Sequence, residues 1–82
     1  MSTPLQLTLY RRTGCHLCEA MQGQLLALQK DYAFSLQTVD IDDDPALEAA
    51  YGEQIPVLMH GETEICHYFL ELSKLQQYFS QA

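Results

Sequence analysis

The sequence predicts an α/β domain of order β-α-β-α-β-β-α, a four-stranded mixed sheet flanked by helices. Three observations carry that expectation. Leu5-Gln6-Leu7-Thr8-Leu9 alternates apolar and polar residues, the period of a half-buried strand. From Cys15 onward the apolar residues recur as Leu17, Met21, Leu25, Leu28 and Tyr32, a spacing that sets one helical face against a core. Two runs rich in β-formers then flank Gly61-Glu62, the pattern of a hairpin.

The elements follow in order. The loop Arg11 to Gly14 joins the first strand to a helix that opens at Cys15. Phe34 to Ile41 reads as the second strand. Asp42-Asp43-Asp44-Pro45 ends it, with Asp44 suited to an N-cap and Pro45 to the first helical position. The aspartates therefore read as the solvated start of a short helix, Ala46 to Tyr51, closed by Gly52. A calcium loop would need a glycine at its sharp turn and a closing glutamate at fixed spacing, and neither is present. Val57 to His60 is the third strand and Thr63 to about His67 the fourth. Ser73-Lys74-Leu75-Gln76 fits a capping box, so the last helix is expected from near Lys74 to Phe79, with Leu75 and Phe79 facing the core. Leu72 would extend that stripe if the helix began earlier. The first βαβ unit should pair its strands in parallel through a right-handed crossover.

Composition narrows the function. Eighty-two residues, 48% of them hydrophobic, suit one folded domain spanning 1–82, expected as a monomer. The formal charge is −7, with four Lys and Arg against eleven Asp and Glu. That argues against nucleic acid, whose binding needs cations to displace counterions from phosphate, and against an anionic membrane surface. No apolar run is long enough to span a bilayer. The opening Met-Ser-Thr-Pro lacks the basic and apolar stretches of a signal peptide, so a cytoplasmic location is expected. Three cysteines, an odd number, do not suggest a disulfide framework. In a reducing compartment a lone Cys-x-x-Cys points to redox chemistry or metal.

Cys15 and Cys18 are the candidate catalytic pair. Thiol–disulfide exchange needs an accessible thiolate and a second thiol close enough to resolve the mixed disulfide. Cys15 stands where unpaired N–H groups and the helix dipole favour negative charge. Such settings lower a cysteine's pKa well below its ordinary value. Cys18, one turn on, shares that side of the helix and lies deeper, which suits a resolving thiol. Gly14 lets the chain bend tightly before the nucleophile. Arg11, Arg12 and His16 could add positive potential; two of the four Lys and Arg stand here in an otherwise acidic chain. Ile55-Pro56 opens the third strand, in an isomer the sequence leaves open.

Cys15-His16-Leu17-Cys18 after a first strand, with Ile55-Pro56-Val57 opening a late hairpin, resembles the thioredoxin superfamily. The short form, and the stretch Tyr10 to Cys18, is similar to the small glutaredoxin-like proteins of that group. The resemblance implies a thioredoxin-like fold of glutaredoxin type and a disulfide oxidoreductase. In it Cys15 attacks, Cys18 resolves, Pro56 is the cis-proline beside the disulfide, and the Ile55 backbone pairs with an extended substrate. It implies protein or peptide disulfides as substrates. The reductant would be glutathione or a thioredoxin-reductase-type donor, and no cofactor is bound. Glutathione is admitted as a co-substrate, yet the glycine pair and acidic residue that glutaredoxins use to hold it are replaced by Ile65-Cys66-His67-Tyr68-Phe69. The expectation is therefore a preference for apolar protein disulfides.

Cys66 reads as a small buried strand residue. Its rival roles are pairing with Cys15 or Cys18, or joining them and His67 in a zinc set. Adjacent strand residues point opposite ways, which disfavours that set. Two other readings stand beside the enzyme. One is a metal or iron–sulfur module built on Cys15 and Cys18, with Cys66 as an optional further ligand. The other is a redox-regulated interaction domain using the Ile55-Pro56 groove.

Overall fold

The alternation at the N-terminal end builds β1 (Leu5–Arg11) in the computed structural model, whose described residues are 5–81. After it come α1 (His16–Leu28), β2 (Phe34–Asp40), α2 (Pro45–Tyr51), β3 (Val57–His60), β4 (Thr63–His67) and α3 (Leu72–Gln81). The four strands lie in the order β2-β1-β3-β4. β1 and β2 are parallel, while β1–β3 and β3–β4 are antiparallel, as the βαβ unit and the hairpin predict.

Strand alternation decides which helix covers which face. Leu7 and Leu9 of β1 join Met21 and Leu25 of α1, Leu58 of β3 and Leu75 of α3 in one buried cluster. α1 and α3 therefore cover that face. Tyr10 points the other way and stacks on Tyr51 of α2, ring centroids 4.5 Å apart. Asp44 caps α2 by accepting the Ala46 and Leu47 N–H groups, with Pro45 at its start. None of the α2 residues is buried, so that helix covers only part of its face. Among the described residues, no helix is long and apolar enough to cross a membrane.

Three expectations need correction. α3 begins at Leu72, not near Lys74, and runs to Gln81. The Glu71 carbonyl accepts the Leu75 N–H at 3.2 Å, and Glu71 pairs with Lys74 across the first turn at 2.7 Å. Glu71 thus stands at the position before the helix, its carbonyl accepting the first helical bond and its carboxylate held by Lys74, and Ser73 lies inside the first turn. Leu17 does not face the core and is 39% exposed. The buried stripe of α1 is Cys18, Met21 and Leu25, and Leu17 overhangs its edge. Arg11 belongs to β1 rather than to the loop.

Candidate active site

β1 and β2 end side by side, with Arg11 opposite Asp40. β3 starts at the same end, with Val57 opposite Tyr10. This topology brings the loop before α1 and the Ile55-Pro56 step to one end of the sheet.

Cys15 is the N-cap of α1, with extended backbone at φ −92° and ψ 112°. Its Sγ accepts the Cys18 N–H at 3.1 Å, in the way a cap oxygen would. Gly14 before it takes φ +78°, the left-handed region that glycine enters without penalty. Cys15 and Cys18 form a disulfide, with Cα atoms 5.2 Å apart. Cys15 is half-buried, whereas Cys18 is 0% exposed. The outer sulfur is therefore the one within reach of another molecule.

The arginines are committed differently. Arg12 pairs with Asp42 at 2.7 Å and with Glu48 of α2 at 3.1 Å. Arg11 donates to the Gln22 side chain on α1. His16 is exposed in the first turn of α1.

Sequence reasoning missed Asp40. Its carboxylate accepts the Thr13 hydroxyl at 2.7 Å and the Asp42 N–H at 2.9 Å. It ties the cysteine loop to the end of β2. Parallel pairing of the two strand ends was the available signal, since it sets Asp40 beside Arg11. The Asp42 N–H bond, and then the Thr13 hydroxyl, hold the Asp40 carboxyl below its ordinary value of 3.8. A carboxylate whose pKa falls on folding adds stability above its unfolded value and loses it as pH falls through the folded one. Asp40→Asn should therefore lower the thermal midpoint at neutral pH, with the difference closing as the pH is taken below 3.8. Melting curves across acid pH check this; a constant difference would show that charge is not what Asp40 contributes.

The Ile55–Pro56 bond is cis, Pro56 is buried and Ile55 is half-buried. Among the described residues, no loop or cap hydrogen bond uses the Ile55 N–H or C=O. The Tyr68 N–H donates to the Pro56 carbonyl at 2.9 Å, and the Tyr68 hydroxyl to the Glu53 carbonyl at 2.7 Å. Tyr68 sits at φ +65°, an unusual backbone for a bulky residue. It is a second residue whose placement the sequence did not reveal.

Cys66 is a free thiol buried in the core, opposite Leu58 on β3. A β-bulge between Leu58 and Met59 lets neighbouring Ile65 and Cys66 both enter the same cluster. Burial pushes the Cys66 thiol up from its ordinary pKa. His67 turns away to Glu64, at 3.1 Å. Among the described residues, no three His, Cys, Asp or Glu side chains converge as a metal would require, so the Cys15, Cys18, Cys66 and His67 set is not brought together. Reduced protein should accordingly alkylate at Cys15 in native buffer and at Cys66 only in denaturant. Peptide mapping after iodoacetamide checks this, and fast native labelling of Cys66 would contradict its burial.

Comparison with known proteins accounts for this arrangement. The Glutaredoxin-like domain (DUF836) family matches residues 6–80. The chain belongs to that family. Protein Ne2328 from Nitrosomonas europaea, solved in solution, is 38% identical with a TM-score of 0.86, covering 96% of this chain and 95% of its own. Protein XcR50 from X. campestris, solved by X-ray, is also 38% identical, with a TM-score of 0.68 over 93% of this chain and 97% of its own. Protein Rv0508 of Mycobacterium tuberculosis is 30% identical over 93% of this chain and 82% of its own. Thioredoxin 1 from Thermosipho africanus, at 15% identity and a TM-score of 0.64 over 94% of this chain and 97% of its own, shares the fold. This glutaredoxin-like chain therefore has the thioredoxin-like architecture, with a Cys-x-x-Cys pair at the start of α1.

Proposed function

We propose that this glutaredoxin-like protein is a thiol–disulfide oxidoreductase acting on protein or peptide disulfides. The observation that carries the reading is the Cys15–Cys18 pair, one sulfur reachable at the N-cap of α1 and the other fully buried one turn on.

In the dithiol form the Cys15 thiolate attacks one sulfur of a substrate disulfide. A Cys15–substrate disulfide forms, and the other substrate half leaves as a thiolate that takes up a proton. The Cys18 thiol then loses its proton and attacks Cys15 Sγ. The internal disulfide closes and the second substrate thiol departs. Two electrons pass from the protein to the substrate. A thiol reductant, glutathione or a thioredoxin-reductase-type donor, returns them, and no bound cofactor takes part.

The Cys18 N–H aimed at Cys15 Sγ supports thiolate formation, together with the first-turn N–H groups of α1. Gly14 shapes the approach. Arg11 and His16 add positive potential; Arg12, already paired with two carboxylates, adds less. The Ile55 N–H and C=O, uncommitted to loop bonds, receive the extended substrate backbone beside Pro56. A reducing compartment, the cytoplasm, fits this direction of flow.

The test is exchange itself. Reduced protein mixed with a small chromogenic disulfide should release its coloured thiol, and its reduction potential should fall at roughly −200 to −270 mV, among cytosolic reductants. Absence of release from fully reduced protein would sink the reading.

A further inference from the structure

We infer that a groove between α1 and the β4–α3 connection docks the substrate, and that its occupant is an extended, apolar and basic polypeptide segment next to the reactive cystine. The inference rests on the proposed oxidoreductase activity and names the substrate class of that same site.

Leu17, between the two cysteines, lines a hollow of about 190 Å³ with Met21, Gln24, Tyr68, Phe69 and Leu70. A second hollow, of about 360 Å³, shares Gln24 and Leu70 as walls and continues along α1 past Leu28 to Asp31 and Leu72. Through these shared walls the two make one path along α1, beginning at Leu17, two residues past Cys15. Much of its wall is apolar and uncovered: Leu17 is 39% exposed, Tyr68 41%, Phe69 66% and Leu72 43%. Contiguous exposure of this kind on a small protein marks a contact surface.

The backbone at the head of the path is held in place for that role. Tyr68 keeps its left-handed conformation through bonds to the Pro56 and Glu53 carbonyls. A non-glycine residue in that region persists only when its surroundings fix it. Tyr68 therefore couples the Ile55-Pro56 step to the groove, and Phe69 follows it into the open.

Two constraints select the occupant. During turnover a substrate half is tethered to Cys15, so the residues flanking its cysteine must lie beside Leu17. Charge then chooses among polypeptides. Asp31 lines the outer hollow, and among the described residues no cation pairs with it. Lys74, two residues beyond Leu72 on α3, is engaged by Glu71. With −7 overall, the surface disfavours an acidic segment and favours a basic one.

Three symmetric disulfides test the inference against reduced protein. One is the dimer of a peptide whose cysteine is flanked by leucine, phenylalanine and lysine. The second is the dimer of a peptide with serine and glutamate in those places. The third is glutathione disulfide. Each rate is divided by the rate of the same disulfide with dithiothreitol, which removes intrinsic reactivity. The apolar, basic dimer should lead by about tenfold or more, the scale of burying one large apolar side chain. Its lead should shrink with added salt, as a charge contribution must. Phe69→Ser and, separately, Asp31→Lys should each reduce the ratio of the first rate to the second; both residues are exposed, so neither change opens the core. Equal normalised rates in the wild type, a ratio that survives both substitutions, or glutathione disulfide reacting fastest would each overturn the inference while leaving an oxidoreductase. Reaction with none of the three would instead overturn the activity on which it rests.

Discussion

Cys15→Ser is expected to abolish disulfide exchange, and Cys18→Ala to stall it halfway with the substrate attached. The asymmetry follows from burial. Cys15 is half-buried at the helix N-cap, and Cys18 is 0% exposed beneath it. A substrate sulfur has to line up with the attacking thiolate, and only Cys15 offers a path for that approach. The remaining free thiol, Cys66, lies in the core with its ionisation suppressed by burial, so it does not substitute. With Cys18 absent, the Cys15–substrate disulfide has no internal thiol to displace it and accumulates. Alanine is the better replacement there, because a serine hydroxyl left unpaired in that site would cost about 1–3 kcal/mol. Intact-mass spectrometry after mixing with the chromogenic disulfide reads both outcomes. Cys18→Ala should gain the mass of one substrate thiol, mapped to Cys15, and Cys15→Ser none. An adduct on Cys18 in Cys15→Ser would reverse the two roles.

The parts of this arrangement that were legible in the sequence are those fixed by local chemistry. The Cys15-x-x-Cys18 pair after an alternating strand, Asp44-Pro45 at a helix start, and the Gly61-Glu62 turn all declare themselves within a few residues. What escaped depends on contacts across the sheet. Leu17 has the spacing of a core residue, but it is exposed and shares a hollow with the 68–70 segment instead. Ser73 has the pattern of a cap, yet the helix starts two residues before Lys74, at Leu72, with Glu71 just outside it and paired to Lys74. Asp40 looks like an ordinary polar residue near the end of a strand until parallel pairing sets the end of β2 against the loop before Cys15. Ile65 and Cys66 break the strand's alternation because a bulge, invisible in composition, admits both to the core. Tyr68 in a left-handed turn could not be read at all, since nothing local favours a tyrosine there.

Leu25→Ala is expected to be the most damaging change away from the cysteines. Leu25 is 0% exposed, in the cluster that joins α1 to β1, β3 and α3. Truncating a buried leucine to alanine costs about 2–5 kcal/mol, through lost transfer energy and the cavity left behind. A chain of this size holds only about 4–12 kcal/mol in total at the usual stability per residue. The thermal midpoint should therefore drop by roughly 10–30 °C. Leu26→Ala is the matched control: it removes the same atoms from a side chain 51% exposed on the same helix and should change stability by less than about 0.5 kcal/mol. The effect should reach the candidate active site as well, because α1 carries Cys15 at its N-cap and Cys18 on its buried stripe. Helix opening in Leu25→Ala should expose Cys66 to alkylation in native buffer, where the wild type and Leu26→Ala remain protected. If both variants melt with the wild type, α1 is not held to the sheet by this stripe. The fixed geometry that makes Cys15 the outer sulfur would then need another source.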